Sequence, residues 1–387
     1  MIYTEQLTCR LCGSSALDTV LDLGQVPLTG VFPLPHEPVA ATPLHLARCH
    51  ACGLAQLRHT VRHDVLYTET YGYRSGGNPS MVRHLNEVAV QAGSLRPVYE
   101  GEVVVDIGGN DGTLLNNYYG RAVTVNVEPL AEFNNWRTTA QLVVTKPWSA
   151  EVGEDLAANV GRAAHVFTLA MLYDIDDPLA FARQVRELLA DDGLWVIEVQ
   201  DADAVLERTV YDTICQEHVT YWSRDTLTGM LRAAGFQVRR QERTPTNGGS
   251  LLLFCEKVEP VDGSFYARDD GLSWRYFAAR VLLHRRWLSD VLDPRRKLYG
   301  LGASTRGNTV LHNCALDHHR LVAIGETNTQ KYGRVTPVGR VPIVSQAEAL
   351  EQADDLLVLP WHFRPFFEET LRPRLRPGQR LIFPLPF

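Results

Sequence analysis

The chain has 387 residues, of which 45% are hydrophobic and 21% charged, and its formal net charge at pH 7 is −7. This length suggests two or three domains, and the composition is typical of a soluble globular protein. The negative charge argues against a general nucleic-acid binder, and no apolar run is long enough to cross a bilayer. Residues 1–7 lack the basic and then apolar pattern of a signal peptide, so we expect a cytoplasmic protein.

Two C-x-x-C pairs open the chain, Cys9 with Cys12 and Cys49 with Cys52. Each pair is followed by a glycine that permits a knuckle turn, and the spacing is that of a zinc site with four thiolate ligands. Because four sulfurs leave no open coordination position, the predicted Zn²⁺ is structural. Four unrelated buried thiols or a redox pair are the alternatives, although neither pair clearly begins a helix after a strand, as a redox pair normally does.

The remaining cysteines are scattered, and the total of seven is odd, which excludes a disulfide framework. Apolar periodicity divides the chain into a zinc-binding domain, a helical connector, an α/β domain, a helical linker and a second α/β domain. The predicted bounds are 1–62, 63–96, 97–256, 257–292 and 293–387. In the first α/β domain we predict strands at 103–106, 123–127, 164–168 and 194–199, an amphipathic helix at 179–189 and a closing hairpin near 236–255.

The strand at 103–106 runs into a glycine-rich turn, residues 106–112, with the pattern D-x-G-x-N-D-G. Its glycines let the backbone approach a ligand, and the apolar residues that follow can start a helix whose N-terminus favours negative or polar groups. The next strand ends in Glu128, a position whose carboxylate typically accepts hydrogen bonds from ribose hydroxyls. This pattern resembles motif I of the class I S-adenosylmethionine (SAM) methyltransferases. A Rossmann-like turn that binds another nucleotide, or nothing, is the alternative.

Between the fourth strand and the hairpin lies the segment 211–221, which contains Glu217 and His218. A histidine titrates near neutral pH and can remove a proton. The segment follows a helix-like stretch at the carboxyl edge of the sheet, so it can reach a ligand there. A surface Glu-His pair on a loop is the alternative.

The C-terminal α/β unit begins with a strand and glycine-rich turn at 297–304, followed by a helix at 305–311. Later strands are predicted at 321–325 and 355–360. The residues Trp361-His362-Phe363, which follow the last of these strands, are predicted to be core and loop packing.

In this order the motifs resemble those of the three-domain sugar C-methyltransferases, which act on nucleotide-linked deoxyketosugars. The resemblance covers nearly the whole chain, and its motifs are the two C-x-x-C pairs, residues 28–33, 71–76, 106–112, 211–213, 217–218, 248–250 and 302–308. It implies a class I methyltransferase Rossmann-like sheet, preceded by a small zinc-binding domain and followed by a second Rossmann-like domain that shares in holding the nucleotide-sugar. The cofactors implied are SAM and structural Zn²⁺.

The resemblance also implies roles for individual residues. His218 is the implied base, with Glu217 beside it and Tyr73 or Tyr71 reaching the active site. The implied SAM-binding residues are Asp106, Gly108, Asn110, Asp111, Gly112, Leu114, Glu128, Thr168 and Met171. The implied substrate-binding residues are Tyr71, Ser75, Asn78, Tyr173, Asn247, Ser304, Asn308, Lys331 and Arg334, of which the last four are candidate diphosphate contacts.

The implied reaction is removal of the C3 proton of a nucleoside-diphosphate 4-keto-6-deoxyhexose, followed by attack of the enolate on the SAM methyl group. The chain departs from the pattern of many members at Cys215, where they carry tyrosine, and at Met171 and Asn247, where they carry histidine. These departures keep open a SAM-dependent O- or N-methylation, or other SAM chemistry, on a related metabolite. A zinc-knuckle binding module with an idle Rossmann core is a third hypothesis. A monomer is expected because three domains can bury one another.

Overall fold

The structure is a computed structural model that describes residues 2–67, 73–130, 139–261, 265 and 271–387. It contains an N-terminal pair of small antiparallel sheets, a central seven-stranded sheet and a C-terminal five-stranded sheet. No helix within these ranges is both long and apolar enough to cross a membrane.

The N-terminal unit is built from five short strands, and its larger sheet borrows a sixth from the centre of the chain. The strands are β1 (Tyr3–Glu5), β2 (Leu17–Pro27), β3 (Ala41–Cys49), β4 (Ala55–Leu57) and β5 (His59–Val61). β1 pairs with β5, while β4 lies between β3 and a later strand, β11 (Thr220–Tyr221). The Leu57 amide also donates to the Val219 carbonyl at 2.9 Å. The residues directly after His218 are therefore part of the N-terminal sheet.

Two helices connect this unit to the central sheet, α1 (His63–Leu66) and α2 (Pro79–Leu95). α2 begins at a proline, which fits the first helical position because that position needs no amide donor. Asn78 caps it by accepting a hydrogen bond from the Ser80 amide at 3.0 Å. The apolar face of α2 packs on the central sheet through Leu85, Val88, Ala89 and Ala92.

The central sheet has the order β12-β13-β10-β9-β6-β7-β8. Its strands are β6 (Val103–Ile107), β7 (Val123–Val127), β8 (Leu142–Val144), β9 (Ala163–Leu169), β10 (Leu189–Gln200), β12 (Phe236–Thr244) and β13 (Ser250–Lys257). The helices between them are α3 (Ala150–Asn159), α4 (Pro178–Leu188), α5 (Ala202–Arg208) and α6 (Arg224–Ala233). Strands β6 to β10 are parallel, and β13 is antiparallel to both of its neighbours.

This arrangement confirms the predicted class I methyltransferase fold. The strand order reverses between β6 and β9, the position where open α/β sheets bind ligands at their carboxyl edge. The expected helix after the glycine-rich turn is only a five-residue 3-10 helix, Leu114–Tyr118. Residues 116–119, two asparagines followed by two tyrosines, are weak helix formers. Gly120, with φ +72°, follows them directly.

The long helix α7 (Gly271–Val291) leads to the C-terminal unit, whose five strands are all parallel in the order β16-β15-β14-β17-β18. These strands are β14 (Leu298–Leu301), β15 (Ile324–Glu326), β16 (Ile343–Ser345), β17 (Asp355–Val358) and β18 (Arg380–Ile382). The helices are α8 (Thr305–Asn313), α9 (Gln346–Gln352) and α10 (Arg364–Leu371). The second Rossmann-like domain is thus present, with its glycine-rich turn between β14 and α8.

Candidate active site

The four N-terminal cysteines form one cluster at the end of β3 and the two knuckle turns. Their sulfur atoms all lie within 4.8 Å of one another, with 3.4 Å between the Sγ atoms of Cys9 and Cys52 and 3.6 Å between those of Cys12 and Cys49. A tetrahedral zinc site with Zn–S bonds of about 2.3 Å separates its sulfurs by about 3.8 Å. The donor set therefore fits Zn²⁺ with no position left for substrate.

The knuckle is tied to the strand that supports the active site. The Arg10 amide donates to Gln56 Oε1 at 2.8 Å, and the Arg10 guanidinium donates to the Leu57 carbonyl at 2.6 Å. Both acceptors lie on β4, the neighbour of β11. The zinc site thereby fixes the strand against which residues 219–221 are placed.

The glycine-rich turn after β6 brings polar groups together at the carboxyl edge of the central sheet. Gly108, Asn110 and Gly112 have φ values of +70°, +52° and +73°, so this turn needs residues that tolerate the left-handed region. A Cβ at Gly109 would lie 2.7 Å from Asp106 Oδ2 and would also overlap Asn126 Oδ1. Glu128 accepts hydrogen bonds at 3.1 Å from the amides of Asn110 and Leu130.

Buried carboxyl groups surround this turn. Burial, with the nearby Glu128 and Asp111 charges, raises the pKa of Asp106 to about 8, and burial raises the pKa of Glu128 to about 7 despite its two amide donors. Neither Asp106 nor Asp111 forms an ion pair with a cationic side chain in the described part of the chain. Bound SAM would bring an ammonium and a sulfonium group, whose positive charges favour the ionised form of these carboxyl groups.

A segment from the N-terminal half lies over the turn. The Ser75 amide donates to Asn110 Oδ1 at 2.9 Å, and the Gly76 amide donates to Asp111 Oδ2 at 2.8 Å. Asn110 Nδ2 in turn donates to the Tyr73 carbonyl at 3.1 Å. The structure thus brings the predicted residues Tyr73 and Ser75 to the turn, while Asn78 is used as the cap of α2. Tyr71 lies outside the described residues.

The other predicted SAM-binding residues differ in what their side chains reach. Leu114 and Thr168 are fully buried, and the Thr168 hydroxyl accepts a hydrogen bond from Trp195 Nε1 at 3.0 Å. Met171 follows β9 and packs against the turn, with its Cβ 3.1 Å from where a Cβ of Gly108 would stand. Among these three residues, only Met171 has a side chain that borders the turn.

His218 is oriented by its own segment. Its Nδ1 lies 2.9 Å from the Thr213 carbonyl and 3.2 Å from the Thr213 hydroxyl, so Nδ1–H donates to the carbonyl and Nε2 keeps its lone pair. Burial, with the positive charge of Arg306, lowers the pKa of His218 to about 4. The Tyr173 ring lies 4.2 Å from the imidazole, measured between ring centroids. His218 is therefore a neutral imidazole, and its basic nitrogen, Nε2, has no hydrogen-bond partner among the residues that the structure describes.

Glu217 points toward the N-terminal unit rather than along His218. Its Oε1 occupies the place where a Cβ of Gly30 would stand, and its Oε2 has no hydrogen-bond partner within the described ranges. Burial raises the pKa of this carboxyl group. Cys215 is fully buried, and burial raises the pKa of its thiol well above the ordinary value.

Residues from three other parts of the chain form hydrogen bonds with the segment that carries His218. Gln216 accepts a hydrogen bond from the Thr29 hydroxyl at 2.8 Å, and the Thr309 hydroxyl donates to the Ile214 carbonyl at 3.1 Å. The Tyr211 hydroxyl contacts His284 Nδ1 at 2.9 Å. The partners come from the N-terminal loop, α8 and α7, so the position of the imidazole depends on how the units pack.

Sequence reasoning missed the buried ion pair at the start of this segment. Arg306 donates through Nε and Nη2 to the two carboxylate oxygens of Asp212, each at 2.9 Å, and through Nη1 to the Asn247 carbonyl at 2.6 Å. Trp361 Nε1 adds a fourth hydrogen bond, to Asp212 Oδ2 at 2.8 Å. Trp361, which the sequence predicted to be a packing residue, therefore also donates a hydrogen bond to the ion pair. The only sequence signal was that Arg306 and Asp212 each lie inside a recognised motif.

The four candidate diphosphate contacts lie at the interface between the C-terminal and N-terminal units. Ser304 caps α8 by accepting from the Gly307 amide at 3.0 Å, and Asn308 is buried and donates to the Thr29 carbonyl at 2.8 Å. Lys331 Nζ donates to the Ala303 carbonyl at 2.7 Å, and Arg334 Nη1 donates to the Phe32 carbonyl at 2.9 Å. Each already has a protein partner, so their role toward substrate stays a prediction.

Three family models match successive parts of the chain. They are described as "Putative zinc binding domain" over residues 9–67, "Methyltransferase domain" over 84–241 and "C-methyltransferase C-terminal domain" over 268–386. The C-methyltransferase NovU of Streptomyces niveus is 28% identical over 402 aligned residues, which cover 98% of this chain and 95% of that protein.

Solved structures resemble a smaller part of the chain. A chain from the complex of the Haloferax volcanii Trm112 methyltransferase activator with a methyltransferase has a TM-score of 0.37 and 18% identity, and covers 48% of this chain and 95% of its own. The 1,6-didemethyltoxoflavin-N1-methyltransferase of Burkholderia thailandensis has a TM-score of 0.34 and 17% identity, and covers 45% of this chain and 78% of its own. Likenesses of this size support no functional conclusion.

Loss of one zinc ligand should remove the metal and lower stability. We expect Cys49→Ser to reduce bound zinc from one equivalent to well below it and to lower the melting temperature, because the N-terminal unit has too little core of its own. Metal content by atomic emission and melting by circular dichroism measure the two effects. Cys314→Ala, which changes a thiol outside the cluster, is the control and should retain zinc; a metal-free wild type would contradict the assignment.

A side chain at Gly109 should block the SAM site. In Gly109→Ala the new methyl group overlaps Asp106 and Asn126, so the turn must shift, and we expect SAM affinity to fall by about tenfold or more, which corresponds to roughly 1.4 kcal/mol. Isothermal calorimetry measures the affinity. The control is Gly77→Ala, since a Cβ at Gly77 meets nothing within 4 Å. Equal affinities of the two variants would rule out this turn as the binding site.

Proposed function

We propose that this chain is a SAM-dependent C-methyltransferase that methylates a ring carbon of a nucleoside-diphosphate 4-keto-deoxysugar, with His218 as the base. Support for C-methylation comes from the three matching family models and the similarity to the C-methyltransferase NovU. The acceptor class rests on the resemblance of the ordered motifs to sugar C-methyltransferases. The base rests on the geometry around residue 218.

The observation that carries the proposal is a neutral imidazole held at the carboxyl edge of the SAM-binding sheet. Thr213 fixes Nδ1–H, which leaves Nε2 as an acceptor. Met171 packs on Gly108 of the turn, and Tyr173, two residues later, packs on His218. Two residues of extended chain span at most about 7 Å, so this chain of contacts keeps the imidazole near the turn that receives SAM.

The proposed chemistry uses this nitrogen once in each turnover. SAM, when bound, supplies a methyl group on a positively charged sulfur. His218 Nε2 takes the proton from C3 of the sugar, which the neighbouring ketone acidifies, and the electron pair of that C–H bond enters the enolate. The enolate carbon then forms the new C–C bond as the methyl–sulfur bond breaks, and the imidazolium returns its proton to solvent.

The enolate oxygen needs a hydrogen-bond donor in a site of low dielectric. Glu217 is suited to that task because burial raises its pKa and favours the protonated form, which can donate. Tyr73, whose backbone is fixed to the turn by Asn110, is the second candidate donor. Positioning of both reactants beside one another supplies the remainder of the acceleration.

The nucleotide is proposed to lie against the C-terminal unit, at the carboxyl edge of its parallel sheet. Support comes from the turn between β14 and α8, where Gly302 has φ +78° and Ser304 caps the helix. The N-terminus of a helix of this length favours phosphate oxygens. The turn lies beside Arg306 and Trp361, which contact the segment of His218, so a ligand here extends toward the base.

Deuterium exchange tests the proposal directly. A nucleoside-diphosphate 4-keto-6-deoxyhexose is incubated in D₂O with the enzyme and S-adenosylhomocysteine, and exchange at C3 is followed by NMR. We expect exchange with wild type and a loss of about 10²–10⁴-fold in His218→Asn, because this is the usual contribution of a general base. His319→Asn, at an exposed position, is the matched control and should exchange like wild type.

Two results would count against the proposal in different ways. Exchange and methylation that persist in His218→Asn would remove His218 as the base. Absence of exchange with wild type, while SAM still binds, would point away from an enolate and toward O- or N-methylation of another acceptor.

A further inference from the structure

The guanidinium of Arg306 contacts three residues from separate parts of the chain, Asp212, Asn247 and Trp361. Arg306 is the second residue of α8, directly after the glycine-rich turn of the C-terminal unit. Its side chain is 13% exposed, and that of Asp212, its partner, is fully buried. The Trp361 ring lies 5.7 Å from the guanidinium carbon. The two bonds of the fork, the indole N–H and the carbonyl of Asn247 together give this pair four hydrogen bonds.

The carboxylate that Arg306 holds is one residue away from the group that orients His218. Asp212 and Thr213 belong to the same 3-10 helix, Tyr211–Thr213, and the Thr213 carbonyl receives the Nδ1–H of His218. The ion pair therefore fixes the carbonyl that selects the imidazole tautomer. Arg306 also fixes the hairpin between β12 and β13 through Asn247, whose φ of +54° is left-handed.

We propose that Arg306, although it belongs to the C-terminal unit, is a positioning residue for the reaction. Through Asp212 it makes the orientation of His218 depend on the seating of the C-terminal domain, and its charge disfavours the imidazolium form of the base. The inference rests on the proposed role of His218. It goes further by giving the C-terminal unit a part in proton transfer as well as in binding.

The charged and titratable neighbours of His218 agree with this role. Tyr173 faces the imidazole from the 3-10 helix after β9, and Glu217 turns its carboxyl group toward Gly30. Arg306, from α8, is the one cation that contributes to lowering the pKa of His218, after burial itself. His362, beside Trp361, has its own pKa lowered by burial and by Arg306, so it adds no positive charge.

Removal of the Arg306 charge should raise the pKa of His218. With the Arg306 charge removed, the imidazolium form becomes less unfavourable and the pKa of His218 rises from about 4 toward its ordinary value. A base must be unprotonated to act, so the acid limb of the pH profile moves to higher pH. Loss of a purely structural contact would lower the fraction of active enzyme without moving that limb.

The test compares two variants with wild type. Arg306→Gln alone would leave the Asp212 carboxylate buried and unpaired, so the first variant combines Arg306→Gln with Asp212→Asn. The second variant is Arg306→Lys, which retains the positive charge but cannot form the two parallel hydrogen bonds of the guanidinium. C3 exchange and methyl transfer of the nucleoside-diphosphate 4-keto-6-deoxyhexose are measured from about pH 3 to 9, so that the acid limb set by the His218 pKa of about 4 lies within the range. Circular dichroism and SAM affinity by calorimetry select the conditions under which each variant is folded.

We expect the double variant to lose about 10–100-fold in kcat, as for a misplaced catalytic group, and its acid limb should move to higher pH because the cation that lowers the pKa of His218 is gone. Arg306→Lys should lose part of kcat and keep the acid limb of wild type. In both, SAM affinity should stay within about twofold, since neither residue touches the turn at 106–112. The control Arg286→Gln with Asp290→Asn changes the same residue types at exposed positions of α7 and should behave like wild type.

Other outcomes would overturn the inference. A folded double variant with the kcat and acid limb of wild type would show that the pair plays no part in catalysis. A rise in KM for the sugar nucleotide with kcat and the acid limb unchanged would make Arg306 a substrate ligand instead. Because His218→Asn is measured in the same assay, a failure of the base assignment is seen separately from a failure of this inference.

Discussion

The buried ion pair of Arg306 and Asp212 is the contact on which the arrangement of the active site depends. A bidentate pair taken out of water is strong only when its remaining hydrogen bonds are made, and here Trp361 and the Asn247 carbonyl make them. Asp212 lies in the central part of the chain, whereas Arg306 and Trp361 lie in the C-terminal part. The ion pair of Arg306 and Asp212 therefore connects the segment that carries His218 to the second Rossmann-like sheet.

The N-terminal unit acts on the same segment from the opposite side. β11, directly after His218, is an edge strand of the sheet that zinc and Arg10 hold in place. Gln216 is saturated by the Thr29 hydroxyl and by the carbonyls of Val26 and Pro27. The four-cysteine cluster is thus connected to the segment that carries His218 through the backbone pairing of β4 with β11. In this way the N-terminal, central and C-terminal units together determine the position of one imidazole.

The sequence predicted the elements whose signal is local. The β-branched run at 103–107 and the run at 123–127 became neighbouring parallel strands, and the C-x-x-C pairs became one cluster, because apolar runs and ligand spacings act over a few residues. The 3-10 helix at Leu114–Tyr118 and the short edge strand β8 were not predicted. Weak helix formers and a three-residue strand leave too little periodicity, and packing decided both.

Sequence by itself therefore determined the fold class, the zinc ligands, the turn at 106–112 and the presence of a histidine in the segment 211–221. It could not determine that Glu217 turns to Gly30 while His218 turns to Thr213, or that Arg306 meets Asp212 across 94 positions of chain. Local propensity specifies backbone form within a few residues. Which side chains meet across units, and which buried charges are neutralised there, follows only from the tertiary packing that removes them from water.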